Sequence, residues 1–228
     1  MSGTIALPST PSRRRSMQDA AALVLLAGAL ITVLITGIGS GPIRIPAERV
    51  LATLGAWAGL PLAVDPRELA VVTVLRVPRA LMAGSVGAVL GLAGAVMQGL
   101  FRNPLADPGL LGVSAGGAVG AVATIVLGTA FVPQPVRPFA TALAAFVGAL
   151  AVTMTVQRIA TVEGRVMIAT MLLAGIVMNA LAGAATGALI FAADDLQLRD
   201  IMFWTMGSCA GATPLKLGLV AAAAMPLV

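Results

Sequence analysis

The sequence predicts an all-α, polytopic integral membrane helix bundle. Hydrophobic residues make up 59% of the 228-residue chain and charged residues only 10%, with a mean hydropathy of +1.01. A soluble domain is usually about 25% charged, so too few polar groups remain here to cover a water-facing surface. Several uncharged runs reach the roughly 20 residues that a helix needs to cross a bilayer. Within those runs glycine and alanine recur every three or four residues, the spacing that lets helix backbones approach closely in lipid.

Residues 1–19 are polar, carry Arg13, Arg14 and Arg15, and read as a cytosolic tail. One transmembrane domain then occupies 20–228. Its first span covers about 20–39 without a charge. That run is long for the apolar part of a cleaved signal, and no small-residue cleavage site follows, so it reads as a retained helix. In the polar stretch 41–79, Pro46-Ala47-Glu48 marks a helix start, and Val50, Leu51, Leu54 and Trp57 fall at helical spacing. A short helix at the membrane surface is expected there, with Trp57 at headgroup level.

The second span covers about 80–100, and Gly84, Gly87, Gly91 and Gly94 line one face, continued by Gln98. So smooth a face predicts packing among other helices. In the turn that follows, around Asn103, Pro104, Asp107 and Pro108, the Asp107-Pro108 pair reads as an N-cap with proline at the first helical position. The third span is expected over 109–132 with Gly112, Gly116 and Gly120 at four-residue intervals, then an external turn at 133–138. A fourth span over 139–156 has Ala140, Ala144 and Gly148 on one face, and a polar cytosolic loop fills 157–165. The fifth span, 166–193, is longer than a bilayer needs and so should tilt or project. Ala180, Ala184 and Ala188 form its small face, and Asp194, Asp195, Arg199 and Asp200 close it on the external side. Trp204 opens another amphipathic stretch. A sixth, incomplete span occupies about 217–228, so the chain reads as truncated within that helix.

No Asp, Glu, Lys, Arg or His falls inside the five complete spans, which weighs against a proton relay. The chain has no histidine and a single Cys209, so histidine-based acid–base or metal chemistry and an intrachain disulfide are excluded. No cofactor, metal site or catalytic residue is expected. The net charge of +5 comes from scattered basic residues, not from the clustered face of a nucleic-acid site. Gln98, Met171, Met178 and Asn179 are candidates for lining a pathway, with interhelical hydrogen bonding or plain packing as the competing reading. Topology rests on the Arg13–Arg15 triplet beside the first span, which favours a cytosolic N-terminus. A bare count does not help, because that orientation leaves eight of the fourteen basic residues outside.

From Leu75 to Gly117 the chain reads LRVPRALMAGSVGAVLGLAGAVMQGLFRNPLADPGLLGVSAGG. With Leu172-Leu173-Ala174-Gly175 and Phe203-Trp204-Thr205-Met206-Gly207-Ser208, this run resembles the FecCD family of ABC importer permeases, which carry ferric siderophores, haem or cobalamin. The resemblance extends from the first span onward. It implies a ten-helix permease fold in the bacterial plasma (inner) membrane with a cytosolic N-terminus. It also implies a second permease subunit as homo- or heterodimer, a cytosolic ABC ATPase, and an extracytoplasmic substrate-binding protein that docks on Arg76 and Arg79. Headgroup anchoring is the competing role for those two arginines. The family's main ATPase-docking segment follows its sixth helix, beyond Val228, so this stretch alone is not expected to couple to ATP. A secondary transporter or channel, and a non-functional membrane fragment, are the alternatives.

Overall fold

The computed structural model describes residues 13–128 and 131–224. Most of the expected tail, two residues of the expected third span and the last four of the sixth lie outside the described residues. Among the described residues the fold is helical apart from one two-residue-per-strand hairpin. Four helical stretches among the described residues are long and apolar enough to cross a membrane: Met17–Gly39, Pro66–Phe101, Gln134–Ala160 and Ile168–Phe191.

The chain divides into two units, with the boundary inside one helix between Gly84 and Ser85 and a return at Cys209–Val220. In the first unit, α1 (Arg13–Gly39) leads to α2 (Ala47–Trp57). Then α3 (Pro66–Ala70) passes without a break through a π-helical turn, Val71–Arg76, into α4 (Val77–Phe101). Asp65 caps α3 by accepting from the Arg67 N–H at 2.8 Å, with Pro66 at the first helical position. The expected second span therefore begins well before Ala80. Pro78 lacks the N–H that a regular ladder would use, and a wider turn just before it, where the Val77 N–H reaches Val72 O, is a known way to absorb such a mismatch. The unit's core is a corner: Ile38 at the end of α1, Ile45, Val50 of α2, and Val72 and Val77. Val50, Thr53 and Val72 are fully buried. This unit also contains α9, Pro214–Ala224, up to Val220; it starts three residues earlier than the expected sixth span.

In the second unit, the expected third span is not one helix. A 3₁₀ turn, Pro108–Leu111, ends at Gly112, whose φ of 80° breaks the helix, and α5 runs only over Val113–Leu127. After a short 3₁₀ turn at Gln134–Val136 comes α6 (Arg137–Ala160). The expected polar loop at 157–165 is instead the last turn of α6 followed by an antiparallel hairpin, β1 (Thr161–Val162) with β2 (Arg165–Val166). Glu163 and Gly164 both have positive φ, as a tight two-residue turn matched to strand twist requires. Helix α7 (Ile168–Phe191) and α8 (Asp195–Met206) complete the unit, so Trp204 lies within α8 and does not start an element.

Helices α5 and α6 are antiparallel and nearly touch backbone to backbone. A Cβ added at Gly116 would stand 2.6 Å from Gly148 O, and one at Gly120 would collide with Ala144 O. A Cβ at Gly175 of α7 would collide with Leu110 O. The buried face of α7 is Met171, Ala174, Gly175 and Ala182, while the small face of Ala180, Ala184 and Ala188 is exposed among the described residues. The α4 glycines behave differently. Nothing lies within 4 Å of a Cβ built at Gly84, Gly87, Gly91 or Gly94. The close packing expected of that face is not supplied by the described residues.

Replacing Gly120 with Val should lower the thermal midpoint of the chain in detergent by several degrees, on the order of 2 kcal/mol, because neither backbone can yield. Gly91→Val should be neutral or slightly stabilising, since valine forms helix better than glycine. An equal loss at Gly91 would show that a helix outside the described residues covers α4.

Candidate functional site

The last carbonyls of a helix have no intrahelical donor and need one from elsewhere. At the end of α1 this need is met from a distance. The Arg76 guanidinium donates from Nη1 to Ile38 O at 2.6 Å and to Gly39 O at 3.0 Å, and from Nη2 to Ile43 O. Arg76 is half-buried, and its planar fork suits divergent acceptors that a single ammonium could not hold. Arg79, one turn on, is exposed, and its Nε donates to Ala210 O at 3.2 Å. The two side chains border one open groove of about 320 Å³ beside Gly37 and Pro42. Both expected docking residues therefore share a face, but in different states. Arg76 is committed to backbone, and Arg79 presents its outer nitrogens.

The turn after α4 is held by its own side chains. Asn103 Oδ1 accepts from the Leu105 N–H at 3.0 Å, and Asp107 Oδ1 from the Gly109 N–H at 2.7 Å, with Pro108 opening the 3₁₀ turn. Asp107 thus caps a 3₁₀ turn and not the long helix expected. Ala106 is buried there with Met97, Phe101, Leu111, Val156 and Met171.

The candidate pathway residues separate. Met171 is 5% exposed and sits inside that cluster, with Met178 packed at its edge. Asn179 Nδ2 donates to Gly109 O at 3.1 Å, beside the Gly112 N–H that donates to the same carbonyl within the 3₁₀ turn. These three pack and hydrogen-bond within the chain. Gln98 is exposed, at the far end of the open glycine face. Sequence reasoning missed Gln197. Its side chain accepts from the Asp194 N–H at 3.1 Å in a reciprocal capping box, and its Nε2 donates to Val126 O at 3.2 Å, joining α8 to the end of α5. The Asp-x-x-Gln spacing at Asp194 was the available signal. No group of three metal-ligating His, Cys, Asp or Glu side chains occurs among the described residues.

The Arg76 arrangement is testable. Arg76→Lys keeps the charge and loses the fork, so amides of the α1 end and residues 40–45 should exchange hydrogen about tenfold faster, the equivalent of one lost charge-assisted bond. Exchange at Met97–Leu111 should be unchanged.

Comparison with known proteins places this geometry. Over 134 residues the chain is 45% identical to the hemin transport system permease protein HmuU of Yersinia pestis, covering 59% of this chain and 40% of that one. Over 159 residues it is 42% identical to the cobalamin import system permease protein BtuC of Halobacterium salinarum, covering 70% and 41%. A solved structure described as a metal-chelate type ABC transporter in an inward-facing conformation superposes with a TM-score of 0.65 at 29% identity, over 87% of this chain and 56% of that one. The matched region spans about four-tenths of the length of the two curated relatives. Residues 28–228 match the FecCD transport family, and the chain belongs to that family.

Proposed function

We propose that this chain is the membrane-spanning permease subunit of an ATP-driven importer for metal chelates, with ferric siderophores as cargo and haem and cobalamin as the competing cargoes. The observation that carries the reading is the family match over 28–228, which includes the run from Leu75 to Gly117. The relatives named for hemin and cobalamin, and the metal-chelate transporter of like fold, support the class of cargo. In this reading a second permease subunit completes the pathway, a cytosolic ATPase supplies the energy, and a binding protein delivers the chelate on the outside. The N-terminus lies in the cytosol of a bacterial cell.

The central parts of the apolar helices carry no ionisable residue: in Pro66–Phe101 the charged residues end at Arg79, and in Gln134–Ala160 they stand only at Arg137 and Arg158. A proton-coupled carrier needs titratable groups at membrane depth. An ATP-driven permease needs only helices that can shift as bodies, and α5, α6 and α7 are joined closely enough to do so. Docking of the binding protein falls on Arg79. Its charge is exposed, whereas that of Arg76 is turned to backbone carbonyls.

Two measurements test this. In proteoliposomes holding the complete permease with its ATPase and binding protein, ferric siderophore, hemin and cobalamin are offered in turn, and the proposal expects ATP-dependent uptake of the siderophore. Uptake that runs without ATP and collapses with the proton gradient would reject the importer. Preferential uptake of hemin or cobalamin would reject the cargo alone. For docking, Arg79→Glu should weaken binding-protein affinity about tenfold at low salt, the equivalent of roughly 1.4 kcal/mol, and the loss should shrink as salt rises. Unchanged affinity at low salt removes Arg79 from the docking surface.

A further inference from the structure

A second cation stands beside Arg79. Arg79 Nε donates to Ala210 O at 3.2 Å, and Lys216 Nζ donates to Gly211 O at 2.9 Å. Two side chains far apart in sequence are thus brought to successive carbonyls of the loop between α8 and α9, and both belong to the first unit. A Cβ at Gly211 would stand 3.2 Å from Lys216 Nζ, so the glycine leaves room for the ammonium to fold back. Each side chain keeps donors to spare. The two Nη groups of Arg79 and the remaining hydrogens of the Lys216 ammonium have no other partner among the described residues. Neither cation is paired with an acid among those residues, and Glu68 of the same unit is taken by Arg49 at 3.1 Å.

Lys216 also stands where a helix does not favour it. Thr213 Oγ1 accepts from the Lys216 N–H at 3.3 Å, so Lys216 lies in the first turn of α9. That end of a helix carries the positive pole of the dipole, where Asp or Glu is stabilising and a cation is not. The Gly211 carbonyl offsets part of this cost. A local rule broken with no gain to the fold is expected at a functional site. Arginine, ammonium and helix start together concentrate positive charge at one loop, with no carboxylate of the described chain to answer it.

We infer that Lys216 is a second docking residue, and that it and Arg79 together receive one carboxylate of the substrate-binding protein. The inference rests on the importer reading and adds to it a residue and the acidic chemistry of the partner surface. The planar end of Arg79 can hold both oxygens of a carboxylate, and the compact ammonium of Lys216 approaches from the α9 side. Holding both cations on neighbouring carbonyls before the partner arrives lowers the ordering cost of docking. Headgroup anchoring needs only charge carried on flexible stems, whereas two cations fixed at one loop suit a single shaped partner.

The complete permease is placed in nanodiscs of zwitterionic phosphatidylcholine, and the affinity of its purified binding protein is measured at low and high salt. Lys216→Gln loses the charge and keeps a donor for Gly211 O, so binding should weaken about threefold at low salt and the loss should shrink as salt rises. Lys216→Arg should restore the affinity. The combined loss in a variant carrying Arg79→Gln and Lys216→Gln should differ from the product of the single losses, because the two cations share one carboxylate. A loss at Arg79→Gln with none at Lys216→Gln overturns the inference and leaves the importer reading standing. No loss at either removes the docking surface altogether. A loss at Lys216→Gln that salt does not change marks a structural role in α9 and overturns the inference. Single losses that simply multiply overturn the shared carboxylate. A loss that appears only once phosphatidylglycerol is added to the nanodiscs assigns Lys216 to lipid, and likewise overturns it.

Discussion

Closing the backbone where helices stop is the constraint on which the rest of this structure depends. In water a frayed helix end is hydrated, but inside an apolar layer each open carbonyl needs a donor from the protein. Four side chains from distant elements donate to backbone carbonyls at or near helix ends and turns. Arg76 reaches the end of α1, Arg79 reaches Ala210, Asn179 reaches Gly109 before α5, and Gln197 reaches Val126 near the end of α5. Each joins segments far apart in sequence. The polar residues within this apolar chain thus determine where helices can end, and so which irregular segments the fold tolerates.

Small residues set the second condition. Once Gly112 turns the chain, α5 starts beside Val152 of α6 and Met178 of α7, and it stays close only because Gly116 and Gly120 face the backbone of Gly148 and Ala144. Its fifteen residues are short for a bilayer. The irregular start is held by burial of Leu111 and by Asn179, which ties α7 to the Gly109 carbonyl that the Gly112 N–H also bonds. Short helix, break and side-chain donor are parts of a single solution.

Much of this was legible in the sequence. Long uncharged runs locate helices well, since a bilayer leaves few other options, and α2 follows from Pro46, Glu48 and the spacing of Val50 and Leu54. Asp107 and Pro108 were readable as a cap and a first helical residue. The break at Gly112 was not readable, because a glycine at four-residue spacing looks the same whether it packs within a helix or ends one. The faces of α7 were equally ambiguous, since alanine and glycine occur all round it. The hairpin at Thr161–Val166 was hidden by the brevity of its strands and by Glu163 in a left-handed conformation that glycine or asparagine more often fills. Within the candidate site, Arg76 and Arg79 border one groove. The difference in their commitments depends on where α1 ends in space, which no local pattern records.

That difference bears on how one motif can serve two ends. Arginine suits both tasks, since its fork can hold several carbonyls and its charge persists at any physiological pH. Placed one turn apart at the entry of α4, two arginines meet different surroundings: Arg76 faces the carbonyls left by α1, and Arg79 faces outward. The first fixes the segment from which the second projects. A docking charge on a loose segment loses binding energy in being ordered, while one on a fixed segment loses less. In the docking proposed above, the internal arginine contributes without touching the partner, by holding still the helix entry that presents its neighbour.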